Sequence, residues 1–301
     1  MVHLFSVDCA RGVGNIIERY SGIVDVKKKD LKGAILNVVN CSSDSFSPTI
    51  LLSTEHCGIH KWDTRTNSES WSFRSSPEEG YISTLVVGQC GNWFISGSSR
   101  GVLTLWDNRF LLPVKSWKCF PATPIEKLCL FIPPPNSISS AGRPVVFVAA
   151  GCNEVTLWDV ENGSPVTRIE ELSDPPPLLP GIRSLLPLPG GGLLTGGTDL
   201  KICYWDQARP EQSFCICGPS VKGVRNDESY DIRSSSCVQV VQETCGHPVT
   251  ASRLTHKTPL AMAAADSAGC RRDAILALAP VNLSSQRLIS GSRDGAVKVW
   301  K

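Results

Sequence analysis

A tryptophan followed by an aspartate recurs along this chain, and this repeat limits the fold more than any other feature of the sequence. The four pairs and a fifth tryptophan near the end are Trp62-Asp63, Trp106-Asp107, Trp158-Asp159, Trp205-Asp206 and Trp300. The first four tryptophans lie roughly 44, 52 and 47 residues apart, close to the repeat of about 40–45 residues in which four strands form one propeller blade. We therefore expect a repeated β-structure.

The repeat extends beyond the tryptophan. An apolar residue stands three positions before each tryptophan, and two small residues stand eight and nine positions before it, at 53–54, 97–98, 149–150, 196–197 and 291–292. A turn separates the small pair from the apolar position, as in Ser-Arg-Asp-Gly at 292–295. This order predicts a hairpin whose second arm ends on the tryptophan.

Each unit also contains a first strand rich in Leu, Ile and Val, which we expect to be buried on both faces. These strands are predicted at 34–39, 82–87, 126–132, 183–188 and 275–280, and their partners at 49–52, 93–96, 145–148, 193–195 and 287–290. No helical periodicity competes with them. The predicted fold is an all-β WD40 β-propeller, incomplete, with about five full blades plus a partial N-terminal blade. The structural positions are Trp62, Asp63, Trp106, Asp107, Trp158, Asp159, Trp205, Asp206, Asp294 and Trp300.

Many WD40 repeats use a Gly-His pair in a buried network with the tryptophan, but the only Gly-His here is Gly246-His247. We therefore expect the blades to depend more on packing than on such networks.

The predicted organisation has four parts. Residues 1–30 form a partial blade consisting of its third and fourth strands, 31–218 form four WD40 blades, 219–273 form a long insertion, and 274–301 form the first three strands of a last blade. Within the insertion, a short strand is expected at 237–242, and Pro259 argues against a further blade. A chain that begins on a third strand is expected to be a fragment or a truncated gene model.

Composition excludes several classes of protein. Lys plus Arg (30) nearly balances Asp plus Glu (28), which argues against a globally basic nucleic-acid binder. No apolar run is long enough to span a membrane. The 13 cysteines contain no Cys-x-x-Cys pair, so reduced cysteines are favoured over a disulfide scaffold or a zinc site.

No catalytic motif is present in the sequence. The glycines at 190–192 are not followed by a phosphate-binding Gly-Lys-Ser/Thr, and there is no His-Arg-Asp or Asp-Phe-Gly of a kinase. His56 and His60 have no accompanying carboxylate motif that would suggest a metal site. We expect these residues to form a protein that is not an enzyme and has no cofactor and no metal.

Two features are candidates for binding a partner. Arg65 and Arg109 each end a Trp-Asp-x-Arg tetrapeptide, which resembles the box by which some WD40 proteins dock onto the adaptor of cullin-4 ubiquitin ligases. The alternative is that each arginine pairs within its own blade. The second feature is the Pro-rich stretch at 173–181, with Pro175, Pro176, Pro177 and the following Ile182 as a docking strip or a stiff connector.

Several stretches are similar to one family in particular. They are 59–66 (IHKWDTRT), 91–107 (GNWFISGSSRGVLTLWD), 290–301 (SGSRDGAVKVWK) and 20–30 (YSGIVDVKKKD), with 181–190 (GIRSLLPLPG) similar to the plant branch. The chain thus resembles the protein-kinase-like regulatory subunit of class III phosphatidylinositol 3-kinase. That family has a kinase-like domain, helical repeats and a C-terminal seven-bladed propeller. The resemblance covers only the propeller, and the segment between Trp158 and Gly181 looks short for plant members.

The resemblance implies a non-catalytic scaffold. Its implied partners are the class III lipid kinase catalytic subunit and coiled-coil autophagy or endosomal subunits, and its implied role is to support phosphatidylinositol 3-phosphate production in autophagy and in endosomal and vacuolar sorting. The implied location is cytoplasmic, peripheral on endosomal, vacuolar and autophagosomal membranes through the complex, with no nucleic acid. The alternative is a substrate receptor of a cullin-4 ubiquitin ligase acting through Arg65 and Arg109.

Overall fold

A computed structural model describes most of the chain, in two compact units, Met1–Ser116 and Trp117–Lys301. The described residues are 2–8, 15–22, 33–41, 49–66, 68–119, 123–132, 145–151, 154–172, 181–206, 213–217, 237–241, 243–244, 247–248, 252–254, 273–282 and 286–300. Within these ranges the regular structure is β-strand, apart from one short 3-10 turn at Pro77–Glu79. No helix there has the length and hydropathy needed to cross a membrane.

The first unit holds an antiparallel pair and two four-stranded antiparallel sheets. The pair is β1 (Val2–Asp8) with β2 (Asn15–Gly22). The first blade is β3 (Ile35–Asn40), β4 (Thr49–Thr54), β5 (Gly58–Asp63) and β6 (Ser68–Arg74). The second blade is β7 (Ile82–Val87), β8 (Trp93–Ser98), β9 (Val102–Asp107) and β10 (Leu112–Lys118), whose last two residues belong to the second unit.

The second unit contains the next three blades. The third is β11 (Ile125–Leu130), β12 (Val145–Ala150), β13 (Glu154–Asp159) and β14 (Ser164–Leu172), and the fourth is β15 (Ile182–Pro187), β16 (Gly192–Gly197), β17 (Ile202–Asp206) and β18 (Phe214–Cys217). The short strands that follow are β19 (Cys237–Val241), β20 (Glu243–Thr244), β21 (His247–Pro248) and β22 (Ser252–Leu254). The fifth blade is β23 (Ile275–Asn282), β24 (Gln286–Ser292) and β25 (Val297–Trp300).

The fold class is the predicted one: an all-β chain of WD40 propeller blades. Each marked tryptophan lies on the third strand of its blade, as the repeat required. The second strands extend about two residues beyond the prediction because they continue through the small pair. The fourth blade shows why that pair is small, since a Cβ on Gly197 would lie 2.3 Å from the carbonyl oxygen of Gly181 at the start of the same blade.

Consecutive blades within a unit share an apolar core. In the first unit, Leu51 and Ile59 of the first blade pack with Leu85, Phe94 and Trp106 of the second. In the second unit, one core joins the third and fourth blades and another joins the fourth and fifth. Burial of these facing sheets supplies the main favourable term for each unit.

The expectation that first strands are buried on both faces was wrong for the first and last blades. In β3, burial alternates along the strand, so that Leu36 and Val38 are exposed while Val39 joins the core shared with β7–β10. In β23, Leu276 is likewise exposed. A strand is buried on both faces only where other sheets pack on both sides, and the composition of a strand does not reveal how many neighbours its sheet has.

The segment predicted as a long insertion contributes strands to the third blade. β19 occupies most of the predicted 237–242 strand and pairs with β14, with Glu170 opposite Gln239, and β22 pairs with β19. The resulting sheet has six strands in the order β11-β12-β13-β14-β19-β22. This extension was not predicted; it covers the outer edge of β14, whose unpaired backbone groups would otherwise remain open to other strands.

Candidate partner-binding surface

Three of the five marked tryptophans are held by a hydroxyl group on the neighbouring strand. The indole Nε1 donates to Ser96 Oγ from Trp106 (2.9 Å), to Thr195 Oγ1 from Trp205 (2.8 Å) and to Ser290 Oγ from Trp300 (2.7 Å). All three hydroxyl residues are buried. Each stands ten residues before its tryptophan, a constant spacing that is present in the sequence. The second, fourth and fifth blades therefore use a two-residue polar contact in addition to packing.

The third blade reaches the same result differently. Ten residues before Trp158 stands Val148, which has no hydroxyl group, and Trp158 Nε1 instead donates to Thr156 Oγ1 on its own strand at 3.0 Å. The indole N–H thus keeps a partner, as a buried polar group requires.

The aspartates after the tryptophans shape the next turn. Asp107 Oδ1 accepts the backbone N–H of Arg109 (2.8 Å) and of Phe110 (3.3 Å), and Asp63 and Asp159 accept the equivalent amides in their own blades. These are Asx turns, in which a short carboxylate replaces a backbone acceptor. Asp294 has a related role between β24 and β25, where its Oδ1 accepts the amide of Ala296 at 2.9 Å.

Both candidate arginines lie beside the aspartate of their own box, at different distances. Arg109 donates from its guanidinium to both carboxylate oxygens of Asp107, with NH2 2.7 Å from Oδ2 and Nε 3.2 Å from Oδ1. In the first blade, Arg65 NH2 lies 3.9 Å from Asp63 Oδ2, beyond hydrogen-bond distance. Both side chains remain mostly exposed, so their other donors face solvent.

This difference between the boxes changes the acidity of the carboxyl groups. The side-chain hydrogen bond from Arg109 lowers the pKa of Asp107 from 3.8 to about 2, whereas the pKa of Asp63 is lowered mainly by the backbone amide of Arg65. The folded state therefore favours ionised Asp107, and this contribution is full above the unfolded pKa of about 4 and is lost as the pH falls towards 2. Because the group is exposed, solvent screening keeps the contribution small.

We predict that Arg109→Ala raises the pKa of Asp107 towards 3.8, while the backbone amides keep it somewhat below that value. Arg65→Ala is the matched control, and it should move the pKa of Asp63 much less. Carboxyl carbon chemical shifts followed by NMR between pH 1.5 and 6 measure both. Equal shifts in the two variants would contradict the role given to the Arg109 side chain.

The residues after Arg109 are unusually apolar for an exposed turn. Phe110, Leu112 and Val114 are 70%, 62% and 54% exposed. The guanidinium carbon of Arg109 lies 5.5 Å from the centroid of the Phe110 ring. We call Arg109, Phe110, Leu112 and Val114 the β10 corner. Sequence reasoning singled out only its arginine, although the apolar residues directly after the box were visible.

The other predicted partner site is the proline-rich strip, and the structure describes only Ile182 among its candidate residues. Pro175, Pro176 and Pro177 lie outside the described residues. Ile182 begins β15 and is only 5% exposed, within the core that joins the third and fourth blades. Its side chain is occupied by packing, so a partner would not meet it on the surface.

The asparagine within the Arg109 box joins the first two blades. The Nδ2 group of Asn108 donates to Gly91 O at 2.6 Å and lies 3.0 Å from Cys41 Sγ, while its Oδ1 accepts from Lys61 Nζ at 3.0 Å. Burial is the main reason that the pKa of Cys41 is raised. Asn108 itself is buried, so its amide forms a polar contact between two apolar sheet faces.

We predict that Asn108→Ala costs about 1–3 kcal/mol, because it leaves buried polar partners without their hydrogen bonds. Hydrogen–deuterium exchange of peptides covering β4, β5 and β8 should become faster. The adjacent exposed residue gives the control, since Arg109→Ala should change stability by no more than about 0.5 kcal/mol. Unchanged exchange in the Asn108 variant would show that the contact carries no stability.

The histidine and the glycines that the sequence raised as candidates for chemistry have structural contacts, and so does one buried cysteine. His60 is buried, with Nδ1 2.8 Å from Glu69 Oε1, and the described ranges contain no group of three side chains that could hold a metal ion. Gly190 and Gly191, both at positive φ, form the turn before β16. Burial raises the pKa of Cys119 to about 12, which leaves its thiol a poor nucleophile at neutral pH.

The family model described as "WD domain, G-beta repeat" matches residues 268–301. The chain is 52% identical over 344 aligned residues to "Serine/threonine-protein kinase VPS15" of Arabidopsis thaliana, covering 100% of this chain and 23% of that protein. It is 26% identical to "Probable serine/threonine-protein kinase vps15" of Dictyostelium discoideum, covering 58% of this chain and 9% of that protein.

The chain thus spans about a quarter or less of the length of these curated relatives. Two solved structures share the fold at low identity: "Crystal structure of RRP9 WD40 repeats" (13% identity, TM-score 0.54, 90% of this chain and 77% of that chain) and "Structure of U3-55K" (14%, 0.54, 90% and 78%). Where the structure describes this chain, its fold is that of WD40 blades and not that of a kinase domain.

Proposed function

We propose that this chain is the WD40 region of a VPS15-family protein and that it acts as a non-catalytic scaffold. The observation that carries the proposal is the 52% identity to the Arabidopsis thaliana protein along the whole chain. The family is the regulatory subunit of the class III phosphatidylinositol 3-kinase complex. The proposed role is to support phosphatidylinositol 3-phosphate production in autophagy and in endosomal and vacuolar sorting.

The proposed partners are the class III lipid kinase catalytic subunit and the coiled-coil autophagy or endosomal subunits. In this proposal the chain is cytoplasmic and reaches endosomal, vacuolar and autophagosomal membranes only through the complex. It needs no cofactor and contacts no nucleic acid.

The mechanism is the presentation of surface side chains on rigid turns. In the first three blades, the turn after the tryptophan is held by an aspartate that accepts two backbone amides, so residues such as Arg65 and Arg109 project from a fixed backbone. Preorganisation of this kind lowers the entropy lost when a partner binds. The arginines contribute because guanidinium donors recognise carboxylates strongly.

The test is co-purification of the lipid kinase and its coiled-coil subunit with the full-length protein. Both should be recovered with the intact protein. A version of the full-length protein from which these 301 residues are deleted should recover less of the coiled-coil subunit. Its expression level and solubility serve as controls. Absence of both subunits from the intact protein's purification would overturn the proposal.

A second candidate is a substrate receptor of a cullin-4 ubiquitin ligase, which the two exposed Trp-Asp-x-Arg boxes favour. Here Arg65→Glu with Arg109→Glu should abolish binding to the ligase adaptor, because each substitution reverses a charge that would face a partner carboxylate. Lack of measurable adaptor binding by the unmodified protein would end this candidate.

A further inference from the structure

The β10 corner is an apolar surface that the blade itself does not require. In the first blade the residues at the same distances from the tryptophan are Thr66, Ser68 and Ser70, all polar and exposed. In the third blade, Asn162 and Ser164 stand where Phe110 and Leu112 stand in the second, whereas Val166, 40% exposed, matches Val114. The same turn therefore forms with polar side chains, and the exposed apolar residues of the second blade call for another explanation.

The corner also has the composition of a binding hot spot. Aromatic and arginine side chains dominate such sites, and here Arg109 lies against Phe110 and is fixed by two hydrogen bonds to Asp107. The carboxylate of Asp107 accepts hydrogen bonds only from Nε and NH2 of Arg109, so the guanidinium keeps further N–H donors for a partner oxygen. The guanidinium is thus held in place before binding.

Charge indicates what kind of partner fits. Between 107 and 116, Asp107 is the only acidic residue, and Arg109 and Lys115 are basic. Arg109 offsets Asp107, so the segment carries one net positive charge. A partner with carboxylates beside apolar side chains would complement both properties.

The backbone favours contact through side chains over strand addition. β10 is the outer strand of its sheet, and in the described part of the chain it pairs only with β9. Pro113 lacks an N–H group and so removes one donor from this strand. The equivalent outer strand of the third blade, β14, has Pro165 at the same distance from its tryptophan, and it accepts the added strand β19 only beyond that proline, at 168–172.

We propose that the β10 corner docks an acidic, apolar segment of a partner protein. Phe110, Leu112 and Val114 provide the apolar contact, and Arg109 binds a carboxylate of the partner. The proposal rests on the scaffold function above and names the chemistry of one of its surfaces.

Photo-cross-linking tests this in the full-length protein, in cells that contain the lipid kinase complex. A p-benzoylphenylalanine probe replaces Phe110, or Thr66 as the matched control, and mass spectrometry identifies the attached peptide. We expect a protein adduct at 110 in which an aspartate or glutamate lies within a few residues of the attachment point. The yield at 66 should be several-fold lower. Arg109→Glu, combined with the probe at 110, should lower the yield about tenfold.

Four results would overturn the proposal: no adduct at 110, equal yields at 110 and 66, attachment to a basic segment, or attachment to a lipid or a second copy of this chain. The variant Phe110→Thr, Leu112→Ser, Val114→Ser reproduces the first blade's residues and should leave hydrogen exchange of β7–β9 unchanged, as the folding control. Recovery of the lipid kinase from the same cells is measured separately. Its loss would refute the scaffold function, whereas loss of the cross-link alone would refute only the docking site.

Discussion

Replacing Trp205 with alanine is expected to raise the hydrogen-exchange rates of β15–β17 by about a hundredfold or more. Trp205 is 1% exposed, lies in the core that joins the third and fourth blades, and donates its indole N–H to Thr195. Removing a buried aromatic side chain of this size typically costs about 3–5 kcal/mol, through lost burial and the cavity left behind. Every 1.4 kcal/mol corresponds to a factor of about ten in the opening equilibrium.

Two variants separate the contributions to this effect. Thr195→Val removes only the hydrogen bond to the indole and should cost about 1–3 kcal/mol. Val299→Ala truncates an exposed apolar side chain of the fifth blade and should change stability by no more than about 0.5 kcal/mol. If Trp205→Ala altered exchange no more than Val299→Ala does, the tryptophan would not be the packing centre of its blade.

Gly197→Ala should also destabilise the fourth blade strongly. The new Cβ would lie 2.3 Å from the carbonyl oxygen of Gly181 and 3.1 Å from Ile182 Cα, and these are backbone atoms that cannot rotate away. Strand β16 or the start of β15 would have to shift, at a cost of about 1–3 kcal/mol or more. Faster exchange of the amides of 182–197 is the expected measurement.

The small pair of the fifth blade offers a control, Gly291, which stands one position earlier relative to its tryptophan than Gly197 does. A Cβ on Gly291 would meet only Ala277 Cβ, at 3.7 Å, an ordinary contact. Gly291→Ala should therefore be neutral, or stabilising by about 0.4–1 kcal/mol through a less flexible unfolded chain. Equal losses in the two variants would show that the small pair is required for a reason other than space.

The spacing of residues along the chain was sufficient to predict the blades. A hairpin and its turn involve residues only a few positions apart, so Asp107 could be placed before the turn it caps, and Trp106 on a third strand. The hydroxyl partner of the tryptophan was also open to prediction, since Ser96, Thr195 and Ser290 keep a constant separation from it.

The candidate surface was predicted only in part. Arg109 stood out by its motif, but the pairing with Asp107 and the exposure of Phe110 depend on how the turn projects from the sheet. Ile182 was proposed for a partner because it follows a proline-rich stretch, yet its side chain packs in the core. Local sequence cannot distinguish these outcomes, because an apolar residue at a strand end has the same pattern whether or not another sheet covers it.

By itself, the sequence determined the all-β class, the repeating hairpins and the position of each tryptophan, because these follow from short-range turn chemistry and from a fixed spacing. Only the tertiary structure decided which faces are covered: that β3 is exposed on one side, that β14 accepts β19, and that the β10 corner faces solvent. The physical reason is that burial and strand pairing join residues distant in sequence, and their free energy depends on the neighbours present rather than on the residues of one strand.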